Sequence, residues 1–230
     1  MGDVPLFVSV RRLDRQQKVH PPADTDWALD SGGFTELETY GRWETTPQQY
    51  VAKVRRYYDM IGRMDWAAPQ DWMCEPHMLE KTGLSVRMHQ LNTTRNYLDL
   101  KTLWPDGPFI PVLQGWEPDD YMRHVESYEA AGIDLEAEPV VGLGSVCRRQ
   151  ATQEIADLVR ELQPFRLHGF GMKTGAIKNV GHLLHSADSM AWSLGGRRRG
   201  PCVHLKSRCA NHLHWALGWY EGLDNLVEFD

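Results

Sequence analysis

Two aspartates occupy similar positions in the sequence, each after a short run of apolar or small residues. Asp30 ends an apolar run and precedes Gly32 and Gly33, whereas Asp188 follows residues 183–187. A glycine pair lets the backbone approach a ligand closely. Paired carboxylates serve glycosyl chemistry, in which one attacks an anomeric carbon and the other handles a proton. The two acids therefore indicate chemistry at a glycosidic bond.

Short apolar runs alternate with longer amphipathic stretches along the chain. The runs predict strands at 6–10, 27–29, 64–67, 109–113, 140–143, 166–170 and 189–192. The clearest helices are predicted at 47–61, 86–103, 118–131, 152–162 and 209–220, several with proline or a capping residue near the start. Such β/α alternation is compatible with a doubly wound sheet or with a closed barrel.

The polar residues at the strand ends favour the barrel. Asp30, Asp71, Gln114, Gly142 and Asp188 all fall at or just beyond the carboxyl ends of predicted strands, where a barrel gathers its active-site loops. The sequence lacks the Gly-x-Gly-x-x-Gly that opens the first helix of a Rossmann sheet. We expect an α/β fold: a TIM-type (β/α)8-like barrel, with room for a missing or irregular strand, formed by residues 1–230 as one domain.

Composition limits the classes of protein to be considered. With 230 residues, 42% hydrophobic content and nine tryptophans, the chain is long enough to bury a core. No segment approaches the ~18 apolar residues of a membrane span, and four scattered cysteines do not indicate a secreted disulfide fold. We expect a soluble protein of a reducing cytoplasm, which is the host cytoplasm if the chain is phage-encoded.

Arginines cluster beside a glycine pair, although the formal net charge of −6 argues against bulk coating of nucleic acid. Arg197, Arg198 and Arg199 follow Gly195 and Gly196 directly. These arginines are candidates for contacts with phosphates. The alternative is a solvated loop with ordinary surface charges.

Three motifs, taken in order, resemble the tRNA-guanine transglycosylase superfamily. They are Asp30-Ser31-Gly32-Gly33-Phe34, Pro111-Val112-Leu113-Gln114-Gly115 and Gly142-Leu143-Gly144. The wider context at 141–149, 168–174 and 187–193 is closer to the DNA-modifying branch, the deoxypurine-in-DNA transglycosylase family (DpdA-like), which is found in phages and bacterial modification islands. The resemblance spans residues 30–214, nearly the whole chain.

This resemblance implies a base exchange in DNA without strand cleavage. Guanine is replaced by a free 7-deazaguanine base, such as 7-cyano-7-deazaguanine, by a pentosyltransferase. Asp188 matches the family nucleophile, which forms an ester with the sugar. Asp30 matches the general acid/base. The alternatives are a turn-capping role for Asp30 and a structural ion pair with a nearby arginine for Asp188.

The family's purine site carries over to several further positions. Asp71 matches the acceptor for the N1 and exocyclic amine protons, and Gln114 with the Gly142 amide matches the donors to O6. The remaining expected substrate-binding residues are Ser31, Phe34 and Gly115. Phe34 or Trp72 is a candidate for stacking on the purine, although core packing is the alternative for most of the tryptophans.

A metal site is expected near the C-terminus. Cys202, His204, Cys209 and His212 place two thiols and two imidazoles within eleven residues, with His214 as a spare candidate, a composition suited to a closed structural Zn²⁺ site. Related transglycosylases bind zinc with three cysteines and one histidine, so this ligand set, in segment 202–214, departs from the family's. The alternative is buried cysteines and polar histidines.

The expected partner is DNA with an extruded or single-stranded guanine, because a paired base cannot reach such a pocket. The alternatives are a tRNA-guanine transglycosylase, a nucleoside-level glycosidase using the same acids, and a non-catalytic zinc-containing nucleic-acid-binding module. Guanine exchange into DNA or tRNA discriminates among them.

Overall fold

The computed structural model describes residues 4–16, 20–146, 153–198 and 212–224. The chain divides into two compact units, residues 1–145 and 146–230, which are described separately below. The expectation of one domain over residues 1–230 stays a prediction.

The first unit contains parallel strands that follow one another in chain order, with the first three in one sheet and the last two in another. They are β1 (Leu6–Ser9), β2 (Trp27–Asp30), β3 (Met64–Ala67), β4 (Val112–Leu113) and β5 (Val141–Leu143). β2 pairs with both β1 and β3, and β4 pairs with β5. A parallel bridge from Ala67 to Phe109 connects β3 to the segment that leads into β4. The sequential order means that the carboxyl ends of these strands share one edge.

The helices of this unit lie between the strands, as the β/α alternation predicts. They are α1 (Val10–Asp14), α2 (Gly33–Tyr40), α3 (Pro47–Ile61), α4 (Pro76–Thr82), α5 (Val86–Leu103) and α6 (Pro118–Ala130). α3 shows why the longer ones were predictable. Thr46 and Gln49 form a capping box around Pro47, and residues such as Tyr50, Val54 and Tyr57 bury one face at helical spacing.

The second unit has the same alternation. Its elements are α7 (Gln153–Glu161), β6 (Leu167–Gly169), α8 (Thr174–Val180), a 3₁₀ turn (Gly181–Leu183), β7 (Ser186–Ala187), α9 (Ala191–Arg198) and α10 (Leu213–Asp224). β6 and β7 are parallel, and His168 and Gly169 pair with Ser186 and Ala187.

The strand predicted at 189–192 is wrong. The strand lies earlier, at Ser186–Ala187, and Ala191 already begins helix α9. Ser193 and Gly196 are buried whereas Met190 and Leu194 are exposed, which is helical spacing that a short apolar run does not reveal. Asp188 consequently stands directly after β7.

The α/β class with parallel strands is confirmed. Within the described ranges the structure does not show a closed barrel. Among the described helices, none combines the length and the apolar character needed to cross a membrane.

Candidate purine site and candidate nucleophile

Four segments of the first unit converge at the carboxyl edge of its strands. Asp30 is the last residue of β2, the loop 68–75 follows β3, Gln114 follows β4, and Ser145 lies just after β5. This is the edge where a parallel sheet presents ligand-binding residues. The segments lie far apart in sequence, so the sheet is what brings them together.

The loop 68–75 is held by side chains of the two long helices α3 and α5. On α3, the Tyr50 hydroxyl donates to the Ala68 carbonyl at 2.6 Å. From α5, the contacts are Asn96 Nδ2 to the Gln70 carbonyl at 2.6 Å, the Trp72 amide to Thr93 Oγ1 at 2.8 Å, and His89 Nδ1 with the Met73 carbonyl at 2.7 Å. Buried backbone groups of the loop are therefore paired with side chains, which fixes the position of Asp71.

Asp71 is the centre of the polar cluster at this edge. Its Oδ2 accepts a hydrogen bond from Gln114 Nε2 at 2.6 Å, and its Oδ1 lies 3.5 Å from Ser31 Oγ. Its carbonyl accepts from the Trp43 indole at 3.2 Å. The pKa of Asp71 is raised from the ordinary 3.8 to about 7, first by burial and then by the nearby charge of Asp30. The carboxyl group therefore changes charge near neutral pH.

The backbone at Gly33 explains one of the two glycines after Asp30. A side chain at Gly33 would meet the Trp43 ring at 2.9 Å and approach Asp71 Oδ1 at 3.4 Å. The glycine is thus required for packing within the protein around Asp71, in addition to any close approach to a ligand.

Gln114 is fully buried and bonded at both main-chain and side-chain atoms. Its amide N–H donates to His124 Nδ1 at 2.8 Å, and its carbonyl accepts from Gln90 at 2.7 Å. Burial lowers the pKa of His124 to about 3, so the neutral ring accepts at Nδ1. The Gln114 side chain lies across Gly144, where any Cβ would overlap its Nε2. Gln114 is therefore a rigid group presented toward Asp71.

Ser145 completes the cluster, with three polar atoms around its hydroxyl. Its Oγ accepts from the Cys74 amide at 2.7 Å and lies 2.7 Å from Gln114 Oε1 and 2.9 Å from Glu75 Oε2. Ser145 has φ +54°, in the left-handed region that non-glycine residues seldom adopt. Sequence reasoning did not select Ser145 or Glu75. The available signal was that Ser145 directly follows Gly144, the last residue of the third family motif.

The structure corrects the role predicted for the Gly142 amide. This N–H donates to the Pro111 carbonyl at 2.9 Å in the β4–β5 ladder, so it is already committed within the sheet. Gly115 packs closely, because a Cβ there would meet Asp120 and Tyr121 at 2.8 Å.

The two aromatic candidates for purine stacking have different surroundings. Trp72 contacts His89 edge-on, with ring centroids 5.3 Å apart, and belongs to the anchored loop. Phe34 is 56% exposed and lies at the start of α2, with its ring centroid 6.4 Å from that of His77. Phe34 is thus the more accessible of the two rings.

Asp188 in the second unit is held at the end of β7. Its Oδ1 accepts from the Gly171 amide at 2.8 Å and lies 3.4 Å from His168 Nε2. The backbone of Asp188 also donates to the Gly169 carbonyl and accepts from the Met172 amide. On the other side of the His168 ring, Nδ1 pairs with Ser186 Oγ at 2.8 Å. The Gly171 amide therefore orients the carboxylate, whose side chain is 21% exposed.

Part of the predicted phosphate-binding cluster and most of the predicted zinc ligands lie outside the described part of the chain. Arg197 and Arg198 are exposed at the end of α9, whereas Arg199, Cys202, His204 and Cys209 lie outside the described residues. His212 and His214 are described, and their ring centroids are 5.5 Å apart. Among described residues no group of three or more metal-ligand side chains is seen, so the zinc site stays a prediction.

One family model matches residues 1–228, and its description is DpdA, DeoxyPurine in DNA protein A. The chain belongs to this family. Membership confirms the resemblance noted for the three motifs and associates the chain with modification of deoxypurines in DNA. No curated protein matches the chain. The DpdA family model covers both units, so the candidate purine site and Asp188 both lie within the matched length.

Proposed function

We propose that this protein is a DNA guanine transglycosylase that replaces guanine in DNA with a 7-deazaguanine base. The observation that carries this proposal is the part-buried Asp71–Gln114 hydrogen bond at the strand edge beside Asp30, in a chain of the DpdA family. A TIM-type (β/α)8-like barrel is the architecture that goes with this proposal. The sequential parallel order of β1 to β3 supports it.

The purine is recognised by Asp71 and Gln114. Guanine offers donors at N1 and at its exocyclic amine and an acceptor at O6. An ionised Asp71 accepts from the donors, and the second Nε2 proton of Gln114 donates to O6. A 7-deazaguanine keeps the same edge, so one pocket serves both the leaving and the incoming base.

Asp188 is the nucleophile in this proposal. A carboxylate oxygen attacks C1′ of the deoxyribose as the bond to guanine N9 breaks, which leaves an ester between Asp188 and the sugar. The hydrogen bond from the Gly171 amide to its Oδ1 supports this role, because pre-positioning removes part of the entropic barrier.

Asp30 is the general acid and base. It donates a proton to the departing guanine and then takes the N9 proton of the incoming 7-deazaguanine, whose N9 attacks C1′ and breaks the ester. The proton given to the leaving guanine is replaced by the N9 proton of the incoming base, and no phosphodiester bond of the DNA is broken. Its place at the end of β2, close enough for its charge to raise the pKa of Asp71, supports a role beside the purine.

The DNA strand presents an extruded or unpaired guanine, and Arg197, Arg198 and Arg199 bind the flanking phosphates. Arg197 and Arg198 are exposed, as such contacts require. A structural Zn²⁺ held by Cys202, His204, Cys209 and His212 or His214 remains part of the proposal on its ligand spacing alone.

Incorporation of radiolabelled guanine tests this function. The full chain should incorporate label into single-stranded or mismatched DNA but not into tRNA, and Asp30→Asn should abolish incorporation. Asp26→Asn, an exposed acid paired with Arg63, is the matched control and should retain it. Labelling of tRNA alone would transfer the assignment to a tRNA enzyme, and binding of DNA with no incorporation would indicate a non-catalytic module.

A further inference from the structure

The hydroxyl of Ser145 has more acceptors around it than it can serve. A serine hydroxyl carries one proton and two lone pairs. The Cys74 amide occupies one lone pair, while Gln114 Oε1 and Glu75 Oε2 both lie within hydrogen-bond distance. With the amide of Gln114 in this orientation, the hydroxyl can donate to only one of the two oxygens.

Rotation of the Gln114 amide by 180° resolves this conflict. Its Nε2 then donates to Ser145 Oγ, the Ser145 hydroxyl donates to Glu75, and Oε1 faces Asp71 Oδ2. That last contact, at 2.6 Å between the present partners, requires a proton on Asp71. Protonation of Asp71 thus reverses the direction of a four-residue relay, Asp71–Gln114–Ser145–Glu75.

The groups around Asp71 favour a proton there near neutral pH. The carboxyls acting on it are Asp30 on β2 and Glu75 on its own loop, and both raise its pKa. The pKa values of Tyr50 on α3, Tyr128 on α6 and Cys74 in the loop are also raised, with burial as the first cause and the charge of Asp71 among the others. These three groups therefore remain neutral when Asp71 titrates.

The backbone around the relay is constrained at Ser145 and at Gly144. Ser145 holds a left-handed φ of +54°, a strained conformation for a residue other than glycine. Gly144 provides the space in which the Gln114 amide lies. The left-handed backbone of Ser145 and the missing side chain at Gly144 together allow the Ser145 hydroxyl to lie between Gln114 and Glu75.

We propose that Ser145 and Glu75 are positioning residues that set which purine edge the site accepts, by fixing the direction of the Gln114 amide. With the relay in one direction, Asp71 accepts and Gln114 donates, which matches guanine and 7-deazaguanine. With the relay reversed, the Gln114 donor turns to Ser145 and the guanine edge loses its partners. The inference rests on the proposed function for its substrate, although the relay itself can be measured without turnover.

The side-chain amide signal of Gln114 in ¹⁵N NMR tests the relay directly in the full chain. Assigned by its loss in Gln114→Glu, this signal should titrate with a midpoint near pH 7. Ser145→Gly suits the left-handed backbone. It removes two relay hydrogen bonds from the reversed form, in which Asp71 is protonated, and only one from the form in which Asp71 is ionised. Glu75→Gln removes a charge that raises the pKa of Asp71. Each variant should lower the midpoint by about 0.5–1 pH unit, because one hydrogen bond or one nearby charge contributes a free energy of this order.

The control is Ser127→Ala, which removes a hydroxyl bonded to a carbonyl on helix α6 and should leave the midpoint unchanged. A Gln114 signal without a titration between pH 6 and 8, or a midpoint that neither variant moves, would overturn the relay. Calorimetry with free guanine forms the second arm, and its pH profile should move with the midpoint. An absent exchange activity together with a titrating amide would instead remove the proposed function and leave the relay intact.

Discussion

At the residue scale, the charged groups that act on Asp71 within the described part of the chain are the carboxyls of Asp30 and Glu75. Its shortest hydrogen bond comes from the neutral side-chain amide of Gln114. A structural carboxylate would more commonly be paired with a cation. Under the proposed function, this arrangement leaves Asp71 able to accept hydrogen bonds from the purine, and it lowers folding stability at high pH.

Asp71→Asn should therefore stabilise the protein at high pH while it abolishes guanine binding. The pKa of Asp71 is raised from 3.8 to about 7 on folding, so the native state binds the proton more tightly than the unfolded chain. Stability contributed by this group is present below about pH 4 and is lost as pH rises toward 7. The Tm of the variant relative to wild type should rise over that interval and level off above pH 7.

Thermal unfolding followed by circular dichroism at pH 4, 6 and 8 checks this prediction. Asp134→Asn, which changes an exposed turn acid, serves as the control for loss of one negative charge. A Tm difference that does not vary with pH would contradict the raised pKa.

At the element scale, much of the framework could be predicted from the sequence. Helices α3 and α5 have the predicted bounds because caps and amphipathic spacing mark them locally. The strand ends that carry Asp30 and Gln114 were also predictable, because short apolar runs locate them. The start of helix α9 was predicted as part of a strand at 189–192, since a few apolar residues do not distinguish the two periods.

The interior of the site could not be predicted in the same way. Ser145 meets Cys74 and Glu75 from about 70 positions away in the sequence, and no local pattern encodes that contact. The Gly142 amide was assigned to a ligand because the motif matches the family, yet the ladder with Pro111 uses it. Such assignments depend on hydrogen-bond partners that only tertiary structure supplies.

Gly144→Ala should reduce guanine affinity by at least about tenfold, the effect of losing roughly 1.4 kcal/mol. The new Cβ would overlap Gln114 Nε2, and the displaced amide could no longer face both Asp71 and the purine. Isothermal titration calorimetry with guanine measures the effect. Gly175→Ala, where a Cβ meets nothing within 4 Å on helix α8, should leave affinity unchanged. Equal affinity in both variants would contradict the placement of Gln114.

The C-terminal segment should bind one zinc ion per chain. Cys209→Ser should lose the metal and lower Tm, because a structural site contributes its binding energy to folding. Elemental analysis by mass spectrometry after dialysis measures the metal content. The same substitution at Cys74, which is buried in the first unit, is the control and should keep the zinc. A metal-free wild-type protein would show that the thiols and imidazoles have another role.

At the scale of the whole molecule, the proposed function draws its residues from both compact units, with Asp71 and Gln114 in the first and Asp188 in the second. All of these residues lie within the length that matches the DpdA family. Asp30 ends the parallel strand β2 of the first unit, and Asp188 directly follows the parallel strand β7 of the second. Because the net charge of −6 makes bulk attraction to phosphates weak, the proposed function requires local cations such as Arg197 and Arg198 and the extruded base to provide DNA binding.

Intact-mass spectrometry of the protein mixed with a single-stranded, guanine-containing oligonucleotide tests the central claim most directly. Rapid acid quenching should trap an adduct with the mass of the protein plus the oligonucleotide less one guanine, and peptide mapping should place it on Asp188. Asp157→Asn, an exposed acid paired with Arg160, should form the same adduct, whereas Asp188→Asn should form none. An adduct on another residue, or guanine exchange that persists in Asp188→Asn, would contradict the account.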